Sequence, residues 1–137
     1  MERLKAIAAA ILLFAIADSA YLTAEHFGTI PLVCPNSGVV SCATVLSSRY
    51  SVVFGIPLAV AGLAWAAVML LLLYSRSRTA EAFAPVWYML GIAGVAYSLT
   101  SQYLLRHICI YCTALDAAII LFLAIALIAR NALHKVT

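Results

Sequence analysis

The residues with the most evident chemistry are four cysteines. Cys34 and Cys42 are separated by seven residues that include Pro35, Asn36 and Gly38, and Cys109 and Cys112 form a Cys-Ile-Tyr-Cys sequence. A thiolate at the start of a helix is stabilised by unsatisfied backbone N–H groups and by the positive end of the helix dipole. The Cys109–Cys112 motif is expected at such a helix start, with Arg106 one turn earlier, so its thiols are expected to be ready for exchange. An even cysteine count also agrees with two purely structural bridges. A zinc site built on all four thiolates is a third possibility, but the step from Cys34 to Cys42 does not match the usual close pairing of zinc ligands. Exchange between the two pairs would carry two electrons from one to the other.

These thiols must be positioned by a membrane scaffold. Of 137 residues, 66% are hydrophobic and 9% charged, against a usual charged share of ~25%. Together with a mean hydropathy of +1.11, this excludes a soluble enzyme, a nucleic-acid binder and a disordered chain. Four apolar runs, Leu4 to Leu22, Val52 to Tyr74, Ala82 to Leu105 and Cys109 to Ala129, are each long enough to cover a hydrocarbon core of ~30 Å. The expected fold is an all-α integral membrane bundle of four transmembrane helices, at about 4–24, 52–74, 82–105 and 109–130, forming one domain over residues 1–137. An outer loop of about 25–51, with a short helix, joins the first two. Arg3, Lys5 and the Ala15-Ile16-Ala17 stretch also imitate a cleavable secretion signal.

Charge sets the orientation. Arg3, Lys5, Arg76, Arg78, Arg130 and Lys135 share one side, and only Arg49 and Arg106 fall on the other, which puts both termini in the cytoplasm and all four cysteines outside. Tyr21, Tyr50, Tyr103, Tyr111 and Trp87 are expected near the membrane interface. Small residues recur as Gly55, Ala59, Gly62 and Ala66 in the second span and as Gly91, Gly94, Ser98 and Ser101 in the third, giving faces for close packing. Gly55 and Pro57 mark the entry to the second span. Electrons delivered at the outer membrane edge need an acceptor that resides there. A lipid-soluble quinone, in an apolar bundle cavity beside Cys112, is the expected one.

Several stretches together resemble the vitamin K epoxide reductase family in its prokaryotic form: Cys34 to Cys42, Ser47-Ser48-Arg49-Tyr50, Phe54-Gly55-Ile56-Pro57, Cys109-Ile110-Tyr111-Cys112, and Ser19 to Thr23 in the first helix. The resemblance covers essentially the whole chain. It implies a quinone-linked thiol–disulfide oxidoreductase of the cell membrane, with ubiquinone or menaquinone as acceptor and no metal. Some relatives carry a fused thioredoxin-like domain; none is seen here, so a separate thioredoxin-fold (DsbA-like) partner is implied.

Laid onto this sequence, the resemblance makes Cys112 the thiol nearest the quinone and Cys109 the one that closes a Cys109–Cys112 bridge. Cys42 would reduce that bridge through a Cys42–Cys109 mixed disulfide, while Cys34 faces the partner. Ser48 matches the family's loop serine. Ser51 stands closest to the asparagine that binds the quinone carbonyl in animal members, and Thr113-Ala114-Leu115-Asp116 replaces their Thr-Thr-Tyr stretch. Epoxide reduction is therefore less expected than disulfide formation. Asp116, one turn below Cys112, is expected either to face the quinone and move a proton or to be a packing residue bonded to Ser98, Ser101 or Gln102. Asp18 is expected at the interface or at the site, and His26 and His107 in solvent.

Overall fold

The computed structural model describes residues 2–31, 33–34 and 36–136, and the side chains of all of these except 36 and 131–136. Pro35 and the side chains of Asn36 and Lys135 lie outside the described residues.

Helix α1 spans Glu2–His26. A hairpin of β1 (Asn36–Ser37) and β2 (Val40–Ser41) follows, then a short helix α2 (Cys42–Leu46), a 3-10 turn at Arg49–Ser51, and a second hairpin of β3 (Val52–Val53) and β4 (Ile56–Pro57). The chain then runs through α3 (Leu58–Tyr74), α4 (Arg78–Leu105) and α5 (Ile110–Val136). By length and composition α1, α4 and the Ile110–Arg130 part of α5 suffice to cross a membrane. Helix α3 carries no charged residue but has 17 residues, about 26 Å at 1.5 Å per residue.

The helices are apolar on all sides, as expected where lipid replaces water. Leu12 and Phe122 are buried, while Leu13, Phe14, Leu71 and Met89 point outward. Helix α1 packs along α3 and α5, and α4 closes the bundle against both. The core joins Ala8, Leu12 and Ala15 to Trp65, Ala66 and Met69, with Val95 and Phe122 completing it. Two indoles tie α3 to α4: Trp65 Nε1 donates to the Trp87 carbonyl at 2.8 Å and Trp87 Nε1 to the Trp65 carbonyl at 2.9 Å. Trp87 thus packs α4 against α3. A Cβ at Gly91 would lie 2.6 Å from Trp65 Cζ2, so only glycine admits this ring.

The second long helix begins later than the apolar run. Phe54 and Gly55 take φ of 53° and 80°, which folds residues 52–57 into a hairpin, and Pro57 caps α3 from outside with φ −59° and ψ 138°. Gly55 therefore serves a turn, not a helix face. Helix α4 begins earlier than the apolar run because the Ser77 hydroxyl accepts from the Ala80 N–H and Glu81 suits the first turn. One end of the bundle gathers the hairpins and cysteines. The other gathers Glu2, Lys5, Ser75, Arg76 and Arg130.

Candidate active site

The outer loop reaches the Cys-x-x-Cys motif through backbone bonds. Ile108 donates to the Val39 carbonyl at 2.8 Å and Ser41 donates to the Ile108 carbonyl at 3.0 Å, forming a parallel bridge between Val40 and Ile108. The residues just beyond this bridge are Cys42 and Cys109, both almost wholly buried, at 1% and 0% exposure. They share one apolar cluster with Val45, and Cys34 and Cys112 pack against it. Ser41 adds a cap to α2, its hydroxyl accepting from the Thr44 N–H. Cys34 and Cys42 are joined as a disulfide with Cα atoms 6.2 Å apart, whereas Cys109 and Cys112 are thiols.

Cys109 stands at the N-terminal cap of α5. Its carbonyl accepts the first helical bond, from Thr113 at 2.9 Å, and its Sγ accepts from the Cys112 N–H at 3.3 Å. The Cys112 thiol, followed by the backbone N–H groups of Cys112 and Tyr111, pulls the Cys109 thiol below the ordinary thiol range, against burial and the charge of Asp18. The neighbouring thiol is the larger influence, and the N–H groups at the start of the helix add to it. Arg106, however, is exposed in a left-handed turn closing α4, at φ 57°. Gln102 holds the motif to α4: its Oε1 accepts from the Cys109 N–H at 2.9 Å and from the Thr113 hydroxyl at 3.2 Å.

Two tyrosines fix the approach of Cys34. Tyr111 donates its hydroxyl to the Val33 carbonyl. The Tyr21 hydroxyl donates to the Pro31 carbonyl at 3.1 Å and accepts from the Val33 N–H at 2.9 Å, with the two rings 5.1 Å apart. Nothing in the sequence beyond their positions near helix ends marked them for this task.

Beneath the cluster lies an apolar cavity of about 310 Å³, between α3, α4, α5 and the loop cap. Cys112 lines it, and Cys109 does not. Gly62, Gly91 and Gly94 form part of its wall, and a Cβ at Gly94 would meet nothing within 4 Å. The small residues of the third span therefore do more than pack; they open space. Residues 6–127, most of the chain, match the vitamin K epoxide reductase family. The chain belongs to that family. A search of curated proteins returned no significant match.

Membership of the vitamin K epoxide reductase family makes the chain an oxidoreductase of membrane thiol–disulfide or quinone chemistry, and the Cys34–Cys42 disulfide fits that chemistry. The remaining candidate residues of this vitamin K epoxide reductase homologue divide as follows. Ser48 and Ser51 both line the cavity, but their hydroxyls donate to the Val45 and Ser48 carbonyls at 2.7 and 2.8 Å, so neither presents its proton to a ligand. Asp116 also lines the cavity, and it accepts from the Ser98 hydroxyl at 2.7 Å, the packing bond that was one of the two expectations for it. Ser101 instead donates to the Tyr97 carbonyl. Asp18 is buried, and its Oδ2 has no hydrogen-bond partner among the described residues. His26, expected in solvent, is exposed yet borders the cavity mouth.

Proposed function

We propose that this protein oxidises the dithiol of an extracytoplasmic thioredoxin-fold protein and passes the two electrons to ubiquinone or menaquinone. The observation that carries this reading is the position of Cys112, which packs against the buried cysteine cluster and also lines the apolar cavity. All four long helices cross the cell membrane in this reading, with the termini in the cytoplasm and the cysteines outside, because cations concentrate at the end of the bundle away from the cysteines.

The partner's dithiol reduces the Cys34–Cys42 disulfide, entering at Cys34, and leaves with a disulfide of its own. Cys42 then attacks Cys109 of a Cys109–Cys112 bridge, forming a Cys42–Cys109 disulfide and releasing the Cys112 thiolate. Attack of Cys34 on Cys42 restores the loop disulfide and leaves Cys109 and Cys112 both reduced. This is the combination of bonds found here: a closed loop pair and a dithiol at the cavity. The quinone, as substrate, takes two electrons and two protons from that dithiol, which closes to Cys109–Cys112 as quinol leaves.

The chain's own residues prepare that transfer. The Cys112 thiol, helped by the first N–H groups of α5, lowers the cost of ionising Cys109, so a thiolate stands ready to close the bridge. Ser98 holds Asp116 at the cavity wall, where its carboxyl moves a proton toward the acceptor. The cavity has the size and apolar lining of a small-ligand site.

A reduced thioredoxin-fold partner and a short-chain quinone, mixed with the purified protein, should bleach the quinone absorbance. Cys112→Ala should abolish the bleaching, and a normal rate in that variant rejects the reading. Asp116→Asn should slow quinone turnover and change its pH dependence; an unchanged profile removes Asp116 from proton transfer.

A further inference from the structure

The end of the bundle away from the cysteines holds a second and larger cavity, of about 910 Å³, which the thiol chemistry does not use. Its inner wall is apolar, formed by Met69, Leu72, Phe122 and Ile125. Its mouth carries three cations from three different segments: Lys5 of α1, Arg76 of the turn between α3 and α4, and Arg130 of α5. Lys5 Nζ is held over the Tyr74 ring, 4.8 Å from its centroid. Tyr88 of α4 lines the same cavity. Among the described residues none of these cations is ion-paired. The two acids at the mouth, Glu2 and Glu81, both occupy first helical turns, where the helix dipoles already offset part of their charge.

We infer that this cavity is a binding site for an anionic phospholipid, with the phosphate between Lys5, Arg76 and Arg130 and an acyl chain along the apolar wall. Three cations, none of them ion-paired among the described residues, around an apolar cleft between membrane helices match a ligand that is anionic at one end and hydrocarbon at the other. A free phosphate uses only the first half of the site, and a neutral lipid only the second. A basic pocket between membrane helices is a recognised form of headgroup site, and each Lys or Arg near the membrane surface contributes about fivefold to attraction of anionic lipid. The inference needs a membrane-embedded bundle but not the redox reading, and its test involves no thiol step.

Purified full-length protein in neutral detergent is mixed with equal amounts of phosphatidylglycerol and phosphatidylcholine, and retained lipid is measured by native mass spectrometry. One phosphatidylglycerol should be retained at least tenfold over phosphatidylcholine, and 0.5 M salt should weaken that preference as screening predicts. Millimolar inorganic phosphate should not displace the lipid. The variant Lys5→Gln/Arg76→Gln/Arg130→Gln should lose the preference, and Arg130→Gln alone should lose about fivefold. Equal retention of both lipids by the wild-type protein overturns the inference, even if the triple variant does not fold. So does displacement by phosphate, or full phosphatidylglycerol preference in a folded triple variant.

Discussion

The cavity wall at Gly94 gives the sharpest test of where the acceptor binds. A Cβ placed there meets no atom within 4 Å, and the backbone is ordinary helix, so Gly94→Leu should fold without strain. Its four added side-chain carbons would project into the 310 Å³ cavity beside Cys112 and exclude a comparable number of ligand carbons. At about 0.8 kcal/mol for each buried CH₂, the loss is roughly 3 kcal/mol, or about two orders of magnitude in affinity. The Cys34–Cys42 pair does not line the cavity and should be reduced by the partner as before. Two assays therefore separate the halves of the reaction. Quinone bleaching at varied quinone concentration should show KM raised by about a hundredfold, while a single-turnover gel assay of Cys34–Cys42 reduction by the partner should be unchanged. A wild-type quinone KM in folded Gly94→Leu protein would refute the assignment of the acceptor to this cavity.

Other perturbations read other parts of the site. Gly91→Ala forces a Cβ to 2.6 Å from the Trp65 ring and should destabilise the bundle by about 1–3 kcal/mol, visible as a lowered thermal midpoint; an unchanged midpoint contradicts the tight Trp65 contact. Gln102→Leu leaves the buried Cys109 N–H without its acceptor and should cost about 1–3 kcal/mol in the same measurement, and slow exchange between the cysteine pairs. Tyr21→Phe/Tyr111→Phe should release the segment before Cys34 and speed reduction of Cys34–Cys42 by a small dithiol several-fold, followed by thiol labelling. In the reduced protein, the folded-state Cys109 value lies below that of the unfolded chain, so its ionisation adds stability that is complete above the ordinary thiol value and is lost as pH falls through the lowered one. Ultraviolet thiolate absorbance should accordingly persist to lower pH in the wild type than in Cys109→Ser.

Much of this was legible in the residues because the membrane makes apolar length decisive. The runs ending at Tyr74 and Leu105 ended where helices end, and the sorted cations matched the two ends of the bundle. What escaped the sequence depended on local conformation or on contacts between distant segments. Val52 to Pro57 reads as apolar helix by hydropathy alone, and only the left-handed conformations at Phe54 and Gly55 turn it into a hairpin. Arg78 and Glu81 precede the apolar run that begins at Ala82, yet Ser77 caps them into the same helix. At the site, the four cysteines and Asp116 were recognisable by type and spacing. Gln102, Tyr21 and Tyr111 were not, because their roles exist only once the loop is folded over the helix ends. Ser48 and Ser51 were found at the cavity, yet their hydroxyls are committed to the backbone, a detail no spacing encodes.

In the proposed relay, electrons cross between the two cysteine pairs through Cys42 and Cys109, which the Val40–Ile108 bridge brings into one cluster. Disulfide mapping of the Cys112→Ala protein tests it most directly. With Cys112 absent, the Cys109 thiolate can attack Cys42 of the loop disulfide, releasing the Cys34 thiol, and nothing remains on α5 to resolve the product. Peptide mass spectrometry should then find a Cys42–Cys109 cross-link with Cys34 open to alkylation. A protein holding only Cys34–Cys42, or one cross-linked through Cys34 and Cys109, would contradict the relay.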